Sequence, residues 1–177
     1  MNKVLRKILA IFIIILSLNC SANADVFEHP QTLSVISSQI PEFKNTKCRF
    51  TQEKIIPNST VKIKSSGNFI FDKSKGVTFN TTYPTTFTTS YTSSEYKQIS
   101  DIFNAISNKS YSKIEKVFKF YFCKVNNEWQ LGFKPKAGYQ ATKYLTSIEI
   151  RGDYSSTKMM MIIKSTNGTK TTIWFSK

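Results

Sequence analysis

Between residues 67 and 84 the chain reads GNFIFDKSKGVTFNTTYP. Along GNFIFD, and again along GVTFNTT, one parity is apolar (Phe69 and Phe71, then Val77 and Phe79) and the other is polar or small. Successive side chains of a strand point to opposite faces, so this period of two describes a sheet with one greasy face and one wet face. A Lys/Ser turn joins the two strands and Pro84 closes them. The same one-sided pattern runs on to the C-terminus, and no strand–helix–strand alternation interrupts it. The fold class is therefore mainly β (α+β), with an antiparallel sheet. One apolar face per strand demands a cover: either helices plug a concave sheet, or the sheet curls towards a barrel.

The other segments fit this frame. In residues 29–43, Leu33, Ile36 and Ile40 follow Pro30 at the spacing of a short amphipathic helix that stops near Pro41. Residues 48–56 read as a strand with a turn at Pro57-Asn58-Ser59. Gly67 interrupts the next strand, as a bulge or a close backbone approach. Residues 85–92, TTFTTSYT, are a strand by propensity. Residues 99–118 change character: Ser100 caps a helix carrying Ile102, Phe103 and Ile106, residues 108–110 break it, and a second turn carries Ile114 and Val117. Alternation then resumes at Phe118, Phe120 and Phe122, and at Trp129, Leu131 and Phe133 across an Asn126-Asn127 turn. Ile148 and Ile150 precede a turn at Gly152-Asp153. Met159, Met161 and Ile163 lead to an Asn167-Gly168 hairpin, and Ile173 and Phe175 follow. The count is nine or ten strands in hairpin order.

The first 24 residues read as an export signal: Lys3, Arg6 and Lys7, an apolar run over residues 8–18, and an A-x-A site at Ala22-Asn23-Ala24. The competing reading is lipidation at Cys20, which Ser17 and Asn19 before it do not favour. Cleavage after Ala24 leaves residues 25–177, one domain's worth. Cys48 and Cys123 then remain in an oxidising compartment, and a disulfide between them is expected; two buried thiols are the alternative. Removing the three leader cations from 25 basic residues leaves 22 against 11 acidic ones, about +11. Such a surface suits anionic partners or is simply solvated. With arginine only at Arg6, Arg49 and Arg151, nucleic acid is not expected as a partner.

Chemistry-bearing patterns are scarce. The one histidine, His29, excludes histidine triads and multi-histidine metal sites. No nucleophile elbow, dinucleotide fingerprint or P-loop occurs. A carboxylate pair such as Glu149 with Asp153 is formally available, but the expectation is no enzyme, no metal and no cofactor.

Several motifs in order resemble the periplasmic lipoprotein-carrier (LolA) family: Phe50-Thr51-Gln52; Gly67, Phe79 and Pro84; Trp129, Leu131 and Pro135; Ile148, Ile150 and Gly152; and the stretch from Gly168 through Thr172-Ile173-Trp174-Phe175. The resemblance implies an incomplete antiparallel β-barrel whose short helices form a lid or plug over an apolar cavity for acyl chains. Phe50, Phe69, Phe71, Val77, Phe79, Phe120, Phe122, Leu131, Ile148 and Ile150 would line it. Met159 and Met161 would be either an adaptable lining or plain strand core. Where the family's turn carries Arg-Pro this chain has Lys73-Ser74, and Phe79 stands for a tryptophan. A latch by Lys73 would be looser than an arginine's planar fork, or absent, which suggests a divergent member. The function implied is a monomeric periplasmic carrier of acylated cargo, lipoprotein or lipid, between an inner-membrane donor complex and an outer-membrane acceptor. The alternative is a non-carrier envelope interaction module with a filled core and a basic docking surface.

Overall fold

A computed structural model of the protein describes residues 25–90, 97–108 and 110–176. The proposed signal, residues 1–24, and Tyr91 of the threonine-rich strand lie outside the described residues. Nine strands form one antiparallel sheet: β1 (Thr46–Ile55), β2 (Lys62–Asp72), β3 (Gly76–Tyr83), β4 (Phe87–Ser90), β5 (Phe118–Val125), β6 (Glu128–Pro135), β7 (Leu145–Asp153), β8 (Lys158–Ser165) and β9 (Lys170–Ser176). Their order across the sheet is β4-β3-β2-β1-β9-β8-β7-β6-β5. Two meanders, β1–β4 and β5–β9, are thus joined in the middle by pairing of β1 with β9, a non-local contact that hairpin order alone does not contain.

The sheet is open, with β4 and β5 at its edges, rather than closed into a barrel. It is nonetheless bent around its apolar face. Five strand spacings separate β2 from β6, about 24 Å if flat. Yet Phe71 of β2 meets Phe103 at 5.6 Å, Phe103 meets Phe43 at 5.4 Å, and Phe43 meets Trp129 of β6 at 6.0 Å between ring centroids. Among the described residues there are three α-helices, α1 (Leu33–Gln39), α2 (Lys97–Asn108) and α3 (Ser112–Val117), and two short 3-10 turns, Val26–Glu28 and Gln140–Lys143. The concave face is filled by α2, whose Ile99, Ile102, Phe103, Ala105 and Ile106 are all buried in the main core cluster. Helix α1 presents Leu33 and Ile36 to the same cluster, with Ile40 just beyond its end.

Local details follow the sequence closely, with three exceptions. The register of β2 on β3 shifts between Ser66 and Gly67, leaving Thr82 outside the ladder. A Cβ on Gly67 would strike the carbonyl oxygen of Asn80, so glycine is required by close backbone approach. Asn126 and Gly168 adopt positive φ in the expected hairpin turns. The first exception is Gly152, which lies within β7; the turn falls later, with Ser156 at positive φ. Gly152 is needed because a side chain there would collide with the Trp129 indole of the neighbouring strand. The second is Ser100, which lies in the first turn of α2 rather than capping it, because the helix begins by Lys97.

The third exception is the expected disulfide. Cys48 and Cys123 are not bonded to each other. The reason is parity. Cys48 shares the concave face with Phe50, whereas Cys123 alternates with Phe120 and Phe122 and belongs to a second cluster on the convex face, with Val26 and Val125. That cluster is covered by residues 25–31, which run beside β5: Gln31 donates its N–H to the Phe120 carbonyl and Phe122 donates to His29. The Phe27 ring packs edge-on to Tyr121, with Lys134 over both rings. This segment shields the β5 edge from further pairing.

Candidate binding cavities

Two cavities open at opposite ends of the concave face, and no residue lines both. Cavity 1 lies where β1 ends and β9 begins and measures about 470 Å³. Cavity 2 lies where β1 begins and β9 ends and measures about 610 Å³. Both fall in the ~300–1,000 Å³ range of small-molecule sites. Between them the interior is solid. Phe69 and Phe79 contact each other edge-on at 5.0 Å, and Phe175 packs against both at 4.6 and 6.3 Å. Helix α2 crosses the same partition: Ile99 faces cavity 1 and Phe103, one turn later, faces cavity 2.

The partition redistributes the residues expected to line a single cavity. Phe50, Phe79 and Ile148 line cavity 1, and Phe69, Phe71 and Met159 line cavity 2. Val77, Phe120, Phe122, Leu131, Ile150 and Met161 line neither cavity and are at most 6 % exposed within the packed core. Those six are corrected from lining to core. All six belong to the one core cluster that the apolar residues of α2 also join, so these inward positions meet packed side chains rather than open space. The two methionines divide between the alternatives, Met159 as lining and Met161 as core.

Cavity 2 is an aromatic chamber. Phe43, Phe69, Phe71, Phe103, Trp129 and Phe175 form its walls, with Cys48 and Met159 beside them. Trp129 is 2 % exposed, and its indole N–H has no hydrogen-bond partner among the described residues. A buried donor left unpaired costs about 1–3 kcal/mol, and this one is sealed in the packing, with less than 1 Å² of its surface exposed. The mouth is of mixed charge, with Glu42, Lys44, Asp153 and Lys158. A strap over residues 41–45 spans it, held at three points. The Ser107 hydroxyl donates to the Phe43 carbonyl at 2.5 Å, the Lys73 backbone N–H donates to Asn45 at 3.0 Å, and the Lys73 ammonium meets Glu42 at 2.6 Å. Lys73 therefore does hold something across this mouth, but it is the strap rather than a helix. Two carboxylates cap turns at this end. The Ser74 hydroxyl, then the backbone N–H groups of Ser74 and Lys75, hold Asp72 below the ordinary aspartate range. The Thr157 hydroxyl, then its N–H, does the same for Asp153.

Cavity 1 has a different wall. Its floor is apolar, from Phe50, Phe79, Leu145, Ile148 and Ile173, but its sides carry hydroxyl and amide groups such as Gln52, Ser65, Thr81, Thr89 and Thr171. Lys54 and Lys143 stand on its lining, and among the described residues no carboxylate does. None of these polar positions was expected as lining from sequence, Gln52 entering only through the Phe50-Thr51-Gln52 motif, because threonine in a strand reads as β-propensity. The aromatic walls of cavity 2 that were missed, Phe43, Phe103, Trp129 and Phe175, did show as apolar positions near a helix or in a strand. Nothing local marked them as cavity rather than core.

The formal carboxylate pair is not one site: Glu149 is buried and ion-paired with Arg151, while Asp153 serves the turn to Thr157. Among the described residues no three His, Cys, Asp or Glu side chains gather as a metal site would require. No protein-family model matches the chain, and no curated protein matches it in sequence.

Proposed function

We propose that the protein is a carrier that shelters an acyl chain of a lipoprotein or lipid in cavity 2 while the cargo crosses water between two membranes. One observation carries this reading: a chamber of about 610 Å³ walled by six aromatic rings and opening under a strap. Each CH₂ removed from water contributes roughly 0.8 kcal/mol, so a ~16-carbon chain gains on the order of 12 kcal/mol before ordering costs. The exposed ion pair of Lys73 and Glu42 supplies a weak, reversible tie, of the order of 0–1 kcal/mol. In this role the chain works in the periplasm, taking cargo from an inner-membrane donor and yielding it to an outer-membrane acceptor, as the LolA resemblance implies.

Trp129 is also the reporter. The chain has two tryptophans, and Trp174 is exposed on the convex face, so Trp174→Phe leaves a single emitter in cavity 2. A dibromostearoyl chain should quench that emission, and native mass spectrometry of the purified protein should find acyl-bearing molecules. Absence of both would end the carrier reading. The solid centre of the core favours a second reading, the interaction module with a basic surface; there, partner capture would collapse at moderate salt with no lipid bound.

A further inference from the structure

We infer that cavity 1 is a second, separate ligand site, built for an amphiphile with an anionic head, the tail lying on its apolar floor and the head against Lys54 and Lys143. This inference rests on the lining of cavity 1 alone and stands whether or not cavity 2 carries cargo.

Three features converge on it. The first is the composition of the wall. An apolar floor alone would suit any hydrocarbon, and a hydroxyl wall alone would suit a sugar. Here the floor is joined to two lysines, with no carboxylate among the described lining residues to neutralise them. Cavity 2 shows what neutralisation looks like, since its lysines share the mouth with Glu42 and Asp153.

The second is the way the two lysines are brought to one mouth. Lys54 is paired across the ladder with Thr171 of β9. The Lys143 carbonyl accepts a hydrogen bond from the Thr166 hydroxyl at 3.0 Å, at the tip of the β8–β9 hairpin. That tip packs on the preceding β1–β2 turn, because Gly168 sits directly against Pro57. The hairpin therefore places Lys54 and Lys143 on either side of itself, facing one opening.

The third is the surrounding field. On the convex side at the same end, Lys164 and Lys170 lie directly opposite each other in the β8–β9 ladder. Like charges so placed are destabilising in a sheet. The adjacent Glu53 is engaged by Lys62 at 3.4 Å. The end of the molecule is thus held positive around an opening whose depth is apolar, which selects against a cationic head and against a free inorganic anion as the whole ligand.

Calorimetry on the purified full-length protein tests this with dodecyl phosphate, dodecyl maltoside and inorganic phosphate, each below micelle formation. Dodecyl phosphate is expected to bind about tenfold more tightly than dodecyl maltoside at low salt, a margin that shrinks as salt rises. Inorganic phosphate is expected to bind far more weakly than either. Lys54→Gln with Lys143→Gln should abolish the preference for phosphate while leaving maltoside binding, melting temperature and Trp129 emission unchanged. The parallel variant Lys44→Gln with Lys158→Gln, at cavity 2, should retain the preference. Equal affinity for the two heads, survival of the preference in the first double variant, its loss in the second, or inorganic phosphate binding as tightly as dodecyl phosphate would each overturn the inference. Quenching of Trp129 by a brominated chain reports cavity 2 independently. A failure of that signal therefore counts against the carrier reading and leaves cavity 1 untouched.

Discussion

Cavities 1 and 2 are cut into the same sheet by the same alternation of side chains, and they differ in what completes each mouth. At the cavity 2 end, β-turns capped by Asp72 and Asp153 and a strap tied by Lys73 bring carboxylates and ammonium groups together, so the entrance is charge-balanced over an aromatic interior. At the cavity 1 end the turns are Pro57-Asn58 and Asn167-Gly168, which need no carboxylate. The lysines there face hydroxyl groups and hydrocarbon. The difference teaches that turn chemistry, chosen locally to suit the backbone, sets the polarity of a cavity formed far from any single turn. It also divides the two roles proposed above, an uncharged acyl chain at one end and an anionic head at the other.

The comparison can be broken most directly at the partition. Phe103 is 1 % exposed and touches Phe43, Phe69 and Phe71. Phe103→Ala should destabilise the fold by about 3–5 kcal/mol in denaturant titration and enlarge cavity 2 towards cavity 1. Longer brominated chains should then quench Trp129 more strongly than in the parent. Next, Gly152→Ala forces a methyl group into the Trp129 indole. A loss of about 1–3 kcal/mol is expected, with a shift of Trp129 emission in the Trp174→Phe background and no change in dodecyl phosphate binding. Third, Glu42→Gln with Asp153→Asn keeps the hydrogen-bonding shapes and removes both charges from the mouth of cavity 2. If charge balance separates the two ends, this variant should gain affinity for an anionic head by about tenfold in calorimetry. No gain would mean that shape, not charge, divides them.

Acid should act on one end before the other. The carboxyls of Asp72 and Asp153 are held below the ordinary 3.8 by hydrogen bonds made in the folded state. Their contribution is therefore present above that value and is lost as pH falls through the lower folded value. Hydrogen exchange should speed up at residues 72–75 and 153–157 below about pH 4, while the turn at residues 166–169 keeps its protection. The smallest effect is expected at Lys73→Met, which severs an exposed pair and should cost less than about 1 kcal/mol. Its proper readout is faster release of a quenching chain from cavity 2.

Alternation announced the strands, the bulge at Gly67 and the hairpins, because period two and turn residues are properties of a few neighbouring positions. It even contained the answer about the cysteines: Cys48 shares the parity of Phe50, and Cys123 opposes that of Phe122, so the two belong on opposite faces. What alternation leaves out is height along the trough. Phe69 and Val77 are equally inward, yet Phe69 borders open space while Val77 is packed in the core. Only the placement of α2 decides between them, and that placement is a tertiary fact. The lysine mouth of cavity 1 was illegible for a similar reason, since Lys54 and Lys143 meet through a hairpin that belongs to neither.

The pairing of β1 with β9 sets Phe50 opposite Phe175, and it imposes an order of events on folding. Residues 46–90 and 118–165 can each begin to form a meander from local contacts, but neither half is flanked on its inner side until β9 arrives. Non-local closure of this kind slows folding in proportion to the chain that must be gathered. During that interval the bare edges are those of β1 and β8, at what will become the centre of the sheet. The native outer edges are protected, β4 by being four residues long and β5 by the segment that runs beside it. Self-association of incompletely folded chains should therefore begin in the middle of the sheet and not at its rims.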